Sequence, residues 1–159
     1  MFKKLLSTRS LCVSAVIAAL YAALTILLAP ISYGSIQCRI SEAMTLLPMV
    51  LPQAIPGLFV GCLIANLYTG MLTDIIFGSL TTLLAAIGTY LLRKKPILAA
   101  ACPVIANGVI VGLVLSLSFK LPVALTMAEV AIGESIAVLI GFALLRALGK
   151  TKIDLSRLN

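Results

Sequence analysis

The chain has 159 residues, of which 62% are apolar and only 11% are charged, and its formal net charge is +7. A soluble domain has roughly a quarter of its residues charged, so this chain lacks the polar surface needed to face water on all sides. Lipid is therefore the expected solvent, and soluble enzymes, disordered linkers and nucleic-acid binders are disfavoured. The simplest prediction is one integral-membrane domain over residues 1–159, with no nucleic-acid partner.

Uncharged stretches and their breaks predict an all-α bundle of six transmembrane helices. The predicted helices lie at about 11–29, 43–55, 58–67, 75–92, 97–119 and 121–145. The uncharged run 43–73 is too long for one helix, since ~20 residues cross the bilayer, and Pro56 with Gly57 is taken as its break. The second and third helices are thus short and broken by proline. We expect them to be embedded among the others, because irregular backbone at membrane depth must be covered by protein or line a polar cavity.

Lysine and arginine predict the orientation of the bundle. Ten of the twelve cations fall in three clusters, at residues 3–9, 93–95 and 146–157. Six helices place all three clusters on one side, which the preference of basic residues for cytoplasmic loops assigns to the cytoplasm. The prediction is a cytoplasmic basic N-terminus (1–10), a helix bundle (11–147) and a cytoplasmic tail (148–159) in the cell membrane. Only Arg39 and Lys120 are then cations on the outer side.

Charged and amide side chains inside membrane helices are the candidate functional groups, because each costs ~2.5–3.5 kcal/mol to insert. They are Asn66, Asp74, Asn107, Glu129 and Glu134, together with the polar connection 33–42. Most fall in the outer half of the predicted membrane, where carboxylates outnumber cations. A cavity there would favour a ligand that donates N–H groups or carries positive charge. The alternative is that each polar group only holds helices together or complements a helix end.

Two features limit how these residues act. Glu129 and Glu134 are five positions apart, or ~140° around a helix, so both cannot point at one ligand. Ser41 with Glu42 is typical of a helix start with Ser41 as N-cap. Arg39 is then either a ligand clamp or a partner of Glu42, and the clamp is favoured because an exposed ion pair contributes only ~0–1 kcal/mol.

Small residues repeat along the first helix at four-residue spacing. The two adjacent rows are Ala15, Ala19, Ala23 and Ser14, Ala18, Ala22. Such smooth faces let helices approach closely in lipid. Either row fits packing inside the chain or docking on a second protein.

Catalytic chemistry has no candidate residues. The sequence has no histidine, no GxxxxGK[ST] phosphate loop, and four cysteines without metal-ligand spacing. We therefore expect no enzyme activity, no cofactor and no metal, and any energy from ATP must come from another chain.

Three segments carry a resemblance to a known family. PISYGSIQCRISEA (30–43), GCLIANL (61–67) and DIIFGSLTTL (74–83) resemble the QueT-type family of queuosine-precursor transporters. The family is similar to the substrate-binding (S) components of energy-coupling factor (ECF) transporters. The resemblance covers residues 15–92 well and the last helix more loosely.

The resemblance implies a six-helix bacterial membrane protein that captures a 7-cyano- or 7-aminomethyl-7-deazaguanine at the outer face. A transmembrane scaffold subunit and two ATPase subunits would supply the energy. It implies docking through Ala15, Ala19 and Ala23. It implies ligand contact for Gln37, Arg39, Glu42, Asn66 and Asp74. Asn107, Glu129 and Glu134 remain candidates because of their predicted burial in membrane helices and the excess of negative charge there, and not because of a family motif.

Some alternatives stay open at this stage. Tyr33 or Tyr68 would be placed to stack on a flat ring. The ligand could instead be another small molecule such as a vitamin. The chain could also be a membrane scaffold without transport, or a proton-coupled exporter built on Glu134.

Overall fold

The computed structural model describes residues 7–32 and 39–150. Within these residues the main helices are helix 1 (Thr8–Leu27), helix 2 (Ile40–Met49), helix 3 (Ala54–Thr69), helix 4 (Asp74–Leu91), helix 5 (Pro96–Phe119) and helix 6 (Val123–Lys150). One further helical turn, Ala29–Ser32, follows helix 1. The predicted count of six helices is confirmed, and helix 6 runs three residues beyond the predicted end of the bundle at 147.

Four of these helices are long and apolar enough to cross a membrane. Helices 1, 4, 5 and 6 supply apolar stretches of 20, 18, 24 and 27 residues, whereas helix 3 has only 16. Large apolar side chains cover the outside of the bundle, including Leu27 at 78% exposure and Leu139 at 69%. Water would not tolerate so much exposed apolar surface, so these faces contact lipid. The chain is therefore a multi-pass membrane protein.

Helices 2 and 3 are the short pair, as predicted, but the predicted break between them is wrong. The chain turns at residues 50–53, and Pro56 and Gly57 lie inside helix 3. Pro56 occupies the first turn, where its missing N–H would have no helical partner anyway. Gly57 is needed for close packing: a Cβ there would lie 2.7 Å from the carbonyl oxygen of Ser14 in helix 1.

Helix 2 is a ten-residue 3₁₀ helix, which is long for this type because runs above three or four residues are uncommon. Its ~2.0 Å rise per residue gives a length of about 20 Å, so ten residues cover much of the membrane depth. The start of helix 2 and the turn that follows it are both tied to helix 1. The hydroxyls of Thr25 and Ser41 are 2.6 Å apart, and the Ser14 hydroxyl donates to the carbonyl oxygen of Gln53 at 2.8 Å.

Helix 2 contacts all five other helices and so lies in the middle of the bundle. Helix 3 packs mainly on helices 1, 2 and 4, and its outer side is exposed. Its glycine row packs on helix 1, where a Cβ at Gly61 would lie 2.8 Å from the Ala18 carbonyl oxygen. Leu58 and Cys62 are fully buried in the apolar core with Tyr21 of helix 1. Sequential contacts show that neighbouring helices along the chain run antiparallel.

Helices 4 and 5 each contain a π-helical segment. These segments are Asp74–Gly78 and Asn107–Val111, and each begins with a polar candidate residue. Single π-helical turns are rare and often occur at functional sites. Helix 5 also contains Pro103, whose missing N–H leaves the carbonyl of Ala99 without its helical donor. The hydroxyl of Thr89 in helix 4 donates to this carbonyl at 3.2 Å and so satisfies it.

Candidate functional site

An ion pair links the start of helix 2 to the start of helix 4. Arg39 Nη2 lies 3.7 Å from Asp74 Oδ2, and both side chains are buried. Asn66 of helix 3 joins them, since its Nδ2 donates to the Asp74 carbonyl oxygen at 2.8 Å. Gly78 leaves room for this amide, because a Cβ there would lie 2.9 Å from Asn66 Nδ2. Three helices therefore meet at Asp74.

Glu42 of helix 2 lies in the same region and is fully enclosed. The Tyr21 hydroxyl donates to Glu42 Oε1, and the Thr82 hydroxyl of helix 4 lies beside the carboxylate. The charge of Arg39 is within electrostatic range of it. The second oxygen, Glu42 Oε2, has no hydrogen-bond partner among the described residues.

Glu134 approaches this region from helix 6. It is 4% exposed, and the side-chain amide of Asn107 in helix 5 interacts with its carboxylate. That interaction is incomplete, because Glu134 Oε1 and Asn107 Nδ2 have no hydrogen bond of normal geometry within the described part of the chain. The charges of Glu42 and Arg39 are both within electrostatic range of Glu134.

These groups form one buried polar cluster, which we call the central cluster. Its members are Arg39, Glu42, Asn66, Asp74, Asn107 and Glu134. It combines three carboxylates with one guanidinium, in surroundings where charges interact more strongly than in water. Glu42 Oε2, Glu134 Oε1 and Asn66 Oδ1 are buried acceptors without a partner among the described residues. Because an unsatisfied buried polar group costs ~1–3 kcal/mol, a ligand rich in N–H donors would be stabilised there.

Six of the eight predicted ligand residues are thus brought together. Of the other two, Gln37 lies outside the described residues, and Glu129 is half-buried on another side of helix 6 from Glu134. One local prediction is wrong. Arg39, not Ser41, occupies the N-cap position of helix 2, and the Ser41 hydroxyl instead pairs with Thr25. Arg39 forms an ion pair with Asp74, a partner that was not predicted from the sequence.

The aromatic residue at the central cluster is one that sequence reasoning missed. Tyr21 is fully buried and contacts Glu42, whereas Tyr68 is 64% exposed and faces away from the bundle. Tyr33, the other predicted stacking residue, lies outside the described residues. A signal for Tyr21 does exist in the sequence. Tyrosines in membrane proteins are enriched at the water interfaces, and Tyr21 sits well inside helix 1.

Comparison with known proteins gives the family. The model of the QueT transporter family matches residues 11–150. The chain belongs to the QueT transporter family. A relative from Lactococcus lactis subsp. cremoris, named queuosine precursor transporter QueT, is 31% identical over 158 residues, which cover 90% of this chain and 93% of the relative. No solved structure matches. The resemblance predicted from the three segments is confirmed, and this QueT family member is a transporter and not an enzyme.

The two rows of small residues on helix 1 of this QueT family member have different surroundings. Ser14, Ala18 and Ala22 are buried, and part of this row packs on the glycines of helix 3. Ala15, Ala19 and Ala23 are exposed. The fold therefore uses one row for packing within the chain and leaves the other on the lipid-facing surface.

Proposed function

We propose that this QueT family member is the S component of an ECF-type transporter. In this role it captures a queuosine precursor, 7-cyano- or 7-aminomethyl-7-deazaguanine, at the outer face of the bacterial cell membrane. The observation that carries the proposal is the central cluster, which buries three carboxylates and one arginine between five helices of a transporter. The relative named for queuosine-precursor transport supports the choice of ligand.

The chemistry of a 7-deazaguanine complements this cluster. Its ring N–H and exocyclic amino group are adjacent donors, which match the buried unpaired acceptors of Glu42 and Asn66. Its carbonyl oxygen is an acceptor that suits the guanidinium of Arg39. Gln37 and Glu129 complete the proposed set of ligand residues.

The orientation follows from the distribution of basic residues. Antiparallel helices place the cluster 93–95 at the same end of the bundle as Arg9 and Arg146, and Arg39 with Lys120 at the other. The preference of lysine and arginine for the cytoplasmic side makes the first end cytoplasmic. The Arg39–Asp74 pair then lies toward the outer side, where a ligand in the external medium can reach it.

Energy for transport comes from partners in this proposal. This assignment of partners rests on the resemblance to S components. The exposed row Ala15, Ala19 and Ala23 docks on a transmembrane scaffold subunit, and two ATPase subunits hydrolyse ATP. The exposure of this row supports the assignment, because small side chains allow the close approach that drives helix association in lipid.

Ligand binding by the purified protein tests the first part. Wild type should bind at least one of the two deazaguanines, and Arg39→Ala should weaken binding about tenfold or more, since hydrogen bonds to charged groups contribute ~1.5–3 kcal/mol. Arg39→Lys keeps the positive charge, so it separates a loss of ligand contact from a loss of folding. It should still bind more weakly than wild type, because lysine lacks the two parallel N–H donors of the guanidinium. Arg93→Ala, at an exposed arginine stacked on Tyr90, is the matched control. A monodisperse wild-type protein that binds neither base would contradict the proposal.

Uptake by cells tests the coupling to partners. Cells that express the chain with a scaffold subunit and its ATPases should accumulate labelled 7-deazaguanine. Ala19→Trp should abolish uptake while leaving binding by the purified protein intact. Ala128→Trp, at an exposed alanine of helix 6, is the control and should transport normally. Uptake that persists in Ala19→Trp would rule out docking through this face.

A further inference from the structure

We propose that Glu134 is a subsite for a positively charged substituent of the ligand, so that the transporter selects the cationic 7-aminomethyl base over uncharged bases of the same shape. The inference rests on the proposed function and adds the basis of its selectivity.

The central cluster has one guanidinium for three carboxylates. Arg39 forms an ion pair with Asp74, with Nη2 and Oδ2 3.7 Å apart, and its charge also acts on Glu42 and Glu134. These two carboxylates lie within electrostatic range of each other. Because one guanidinium cannot balance three carboxylates, ionisation of both glutamates in this buried site is costly, and a cation bound beside them lowers that cost.

The two carboxylates differ in how well they are supported. Glu42 accepts the hydroxyl of Tyr21 and has Thr82 beside it. Glu134 has only the amide of Asn107, whose Nδ2 makes no hydrogen bond of normal geometry within the described residues. Glu134 Oε1 is buried and lacks any partner there. The carboxylate with the least support is the one that gains most from an ammonium group.

The packing of helix 6 directs this carboxylate toward helix 2. Gly141 lies seven residues after Glu134 and so nearly on the same helix face. A Cβ at Gly141 would lie 2.2 Å from the Ala43 carbonyl oxygen, so the backbones of helices 2 and 6 touch there. Glu134 therefore faces the helix that carries Glu42. An ammonium group bound to Glu134 also experiences the attraction of Glu42.

Three ligands of nearly the same shape separate the effect of the ligand's charge on affinity from the effect of its shape. The 7-aminomethyl, 7-hydroxymethyl and 7-cyano forms of 7-deazaguanine differ at one substituent, and only the first carries a positive charge. Titration of purified wild-type protein should show at least about tenfold tighter binding of the aminomethyl form, the scale of one charge-assisted hydrogen bond. Glu134→Gln should lose that advantage, so that its loss of affinity is at least about tenfold greater for the aminomethyl form than for either uncharged form.

Control variants and outcomes keep the inference separable from the proposed function. Ser135→Ala is the matched control, since the Ser135 hydroxyl donates to the carbonyl of Ala131 in its own helix at 2.6 Å. Equal affinity of wild type for all three forms, or an equal loss for all three in Glu134→Gln, would overturn the charge subsite and leave the proposed function standing. Wild-type protein that binds none of the three would overturn both. Melting temperatures of each variant with and without ligand provide the second measurement.

Discussion

Substitution of Gly141 by alanine should disturb the central cluster from a position that no ligand touches. The added Cβ would lie 2.2 Å from the oxygen, 2.9 Å from the carbon and 3.0 Å from the Cα of Ala43. All three are backbone atoms, so no side chain can rotate away, and helices 2 and 6 must separate by about 1 Å to restore ordinary contact. Overpacking of this kind costs ~1–3 kcal/mol.

The displacement also reaches the ligand residues, because Ala43 follows Glu42 directly. Movement of helix 2 by about 1 Å lengthens the Tyr21–Glu42 hydrogen bond and shifts Glu42 relative to Glu134. If the whole packing cost appears in binding, ligand affinity falls by roughly five- to 150-fold. The expected result is thus a joint loss of thermal stability and affinity.

Gly149→Ala is the matched control for this prediction. Gly149 lies in the same helix, and a Cβ there meets nothing within 4 Å. The gain in helix propensity is at most ~1 kcal/mol for either variant and is smaller at Gly149, near the helix end, so propensity alone would make Gly141→Ala the more stable variant and the opposite order reports the contact with Ala43. Size-exclusion chromatography after heating gives stability, and titration with a 7-deazaguanine gives affinity. Equal stability and affinity of the two variants would refute the tight approach of helices 2 and 6.

Two further substitutions test single contacts of the cluster. Tyr21→Phe removes the hydroxyl that donates to Glu42 and should weaken ligand binding by about tenfold, since hydrogen bonds to charged groups contribute ~1.5–3 kcal/mol. Unchanged affinity in the titration would show that Tyr21 does not orient this carboxylate. Gly78→Ala puts a methyl group 2.9 Å from Asn66 Nδ2 and should displace this amide from the Asp74 carbonyl oxygen. The melting temperature should fall by about 2–4 °C for each kcal/mol of unfolding free energy that is lost, and a melting temperature equal to that of wild type would count against the contact.

The number of helices and most of the polar cluster could be predicted from the sequence, because the bilayer limits both the length of each helix and the polar groups that it can contain. Uncharged runs bounded by basic clusters leave few ways to cross a bilayer, and a charge inside a helix stands out against an apolar background. The break between helices 2 and 3 was placed wrongly for a physical reason. Pro56 and Gly57 are typical of a turn, yet the proline is harmless in a first helical turn and the glycine is required by Ser14 of helix 1. The reason for the glycine depends on a partner helix, which the local sequence does not reveal.

Pairings between distant residues could not be predicted in the same way. Arg39 and Asp74 are 35 positions apart, and Tyr21 and Glu42 are 21 apart, so no local pattern connects them. The pairings depend on how helices 1, 2 and 4 rotate about their own axes, which one sequence does not specify. The 3₁₀ winding of helix 2 is a further example, since runs of this length are rare and no residue type demands one.

The distribution of irregular backbone argues against the scaffold alternative. Asp74 and Asn107 each open a π-helical segment, and Glu42 lies on the 3₁₀ helix, so three polar groups of the central cluster lie on irregular backbone. A protein that only needed to hold its helices together would be served by hydroxyl pairs such as Thr25 with Ser41, which need no buried charge. Four ionisable side chains and three irregular segments in one region instead raise the cost of folding, and they leave acceptors of Glu42 and Glu134 without a partner among the described residues. That combination is expected where the missing partner is a ligand.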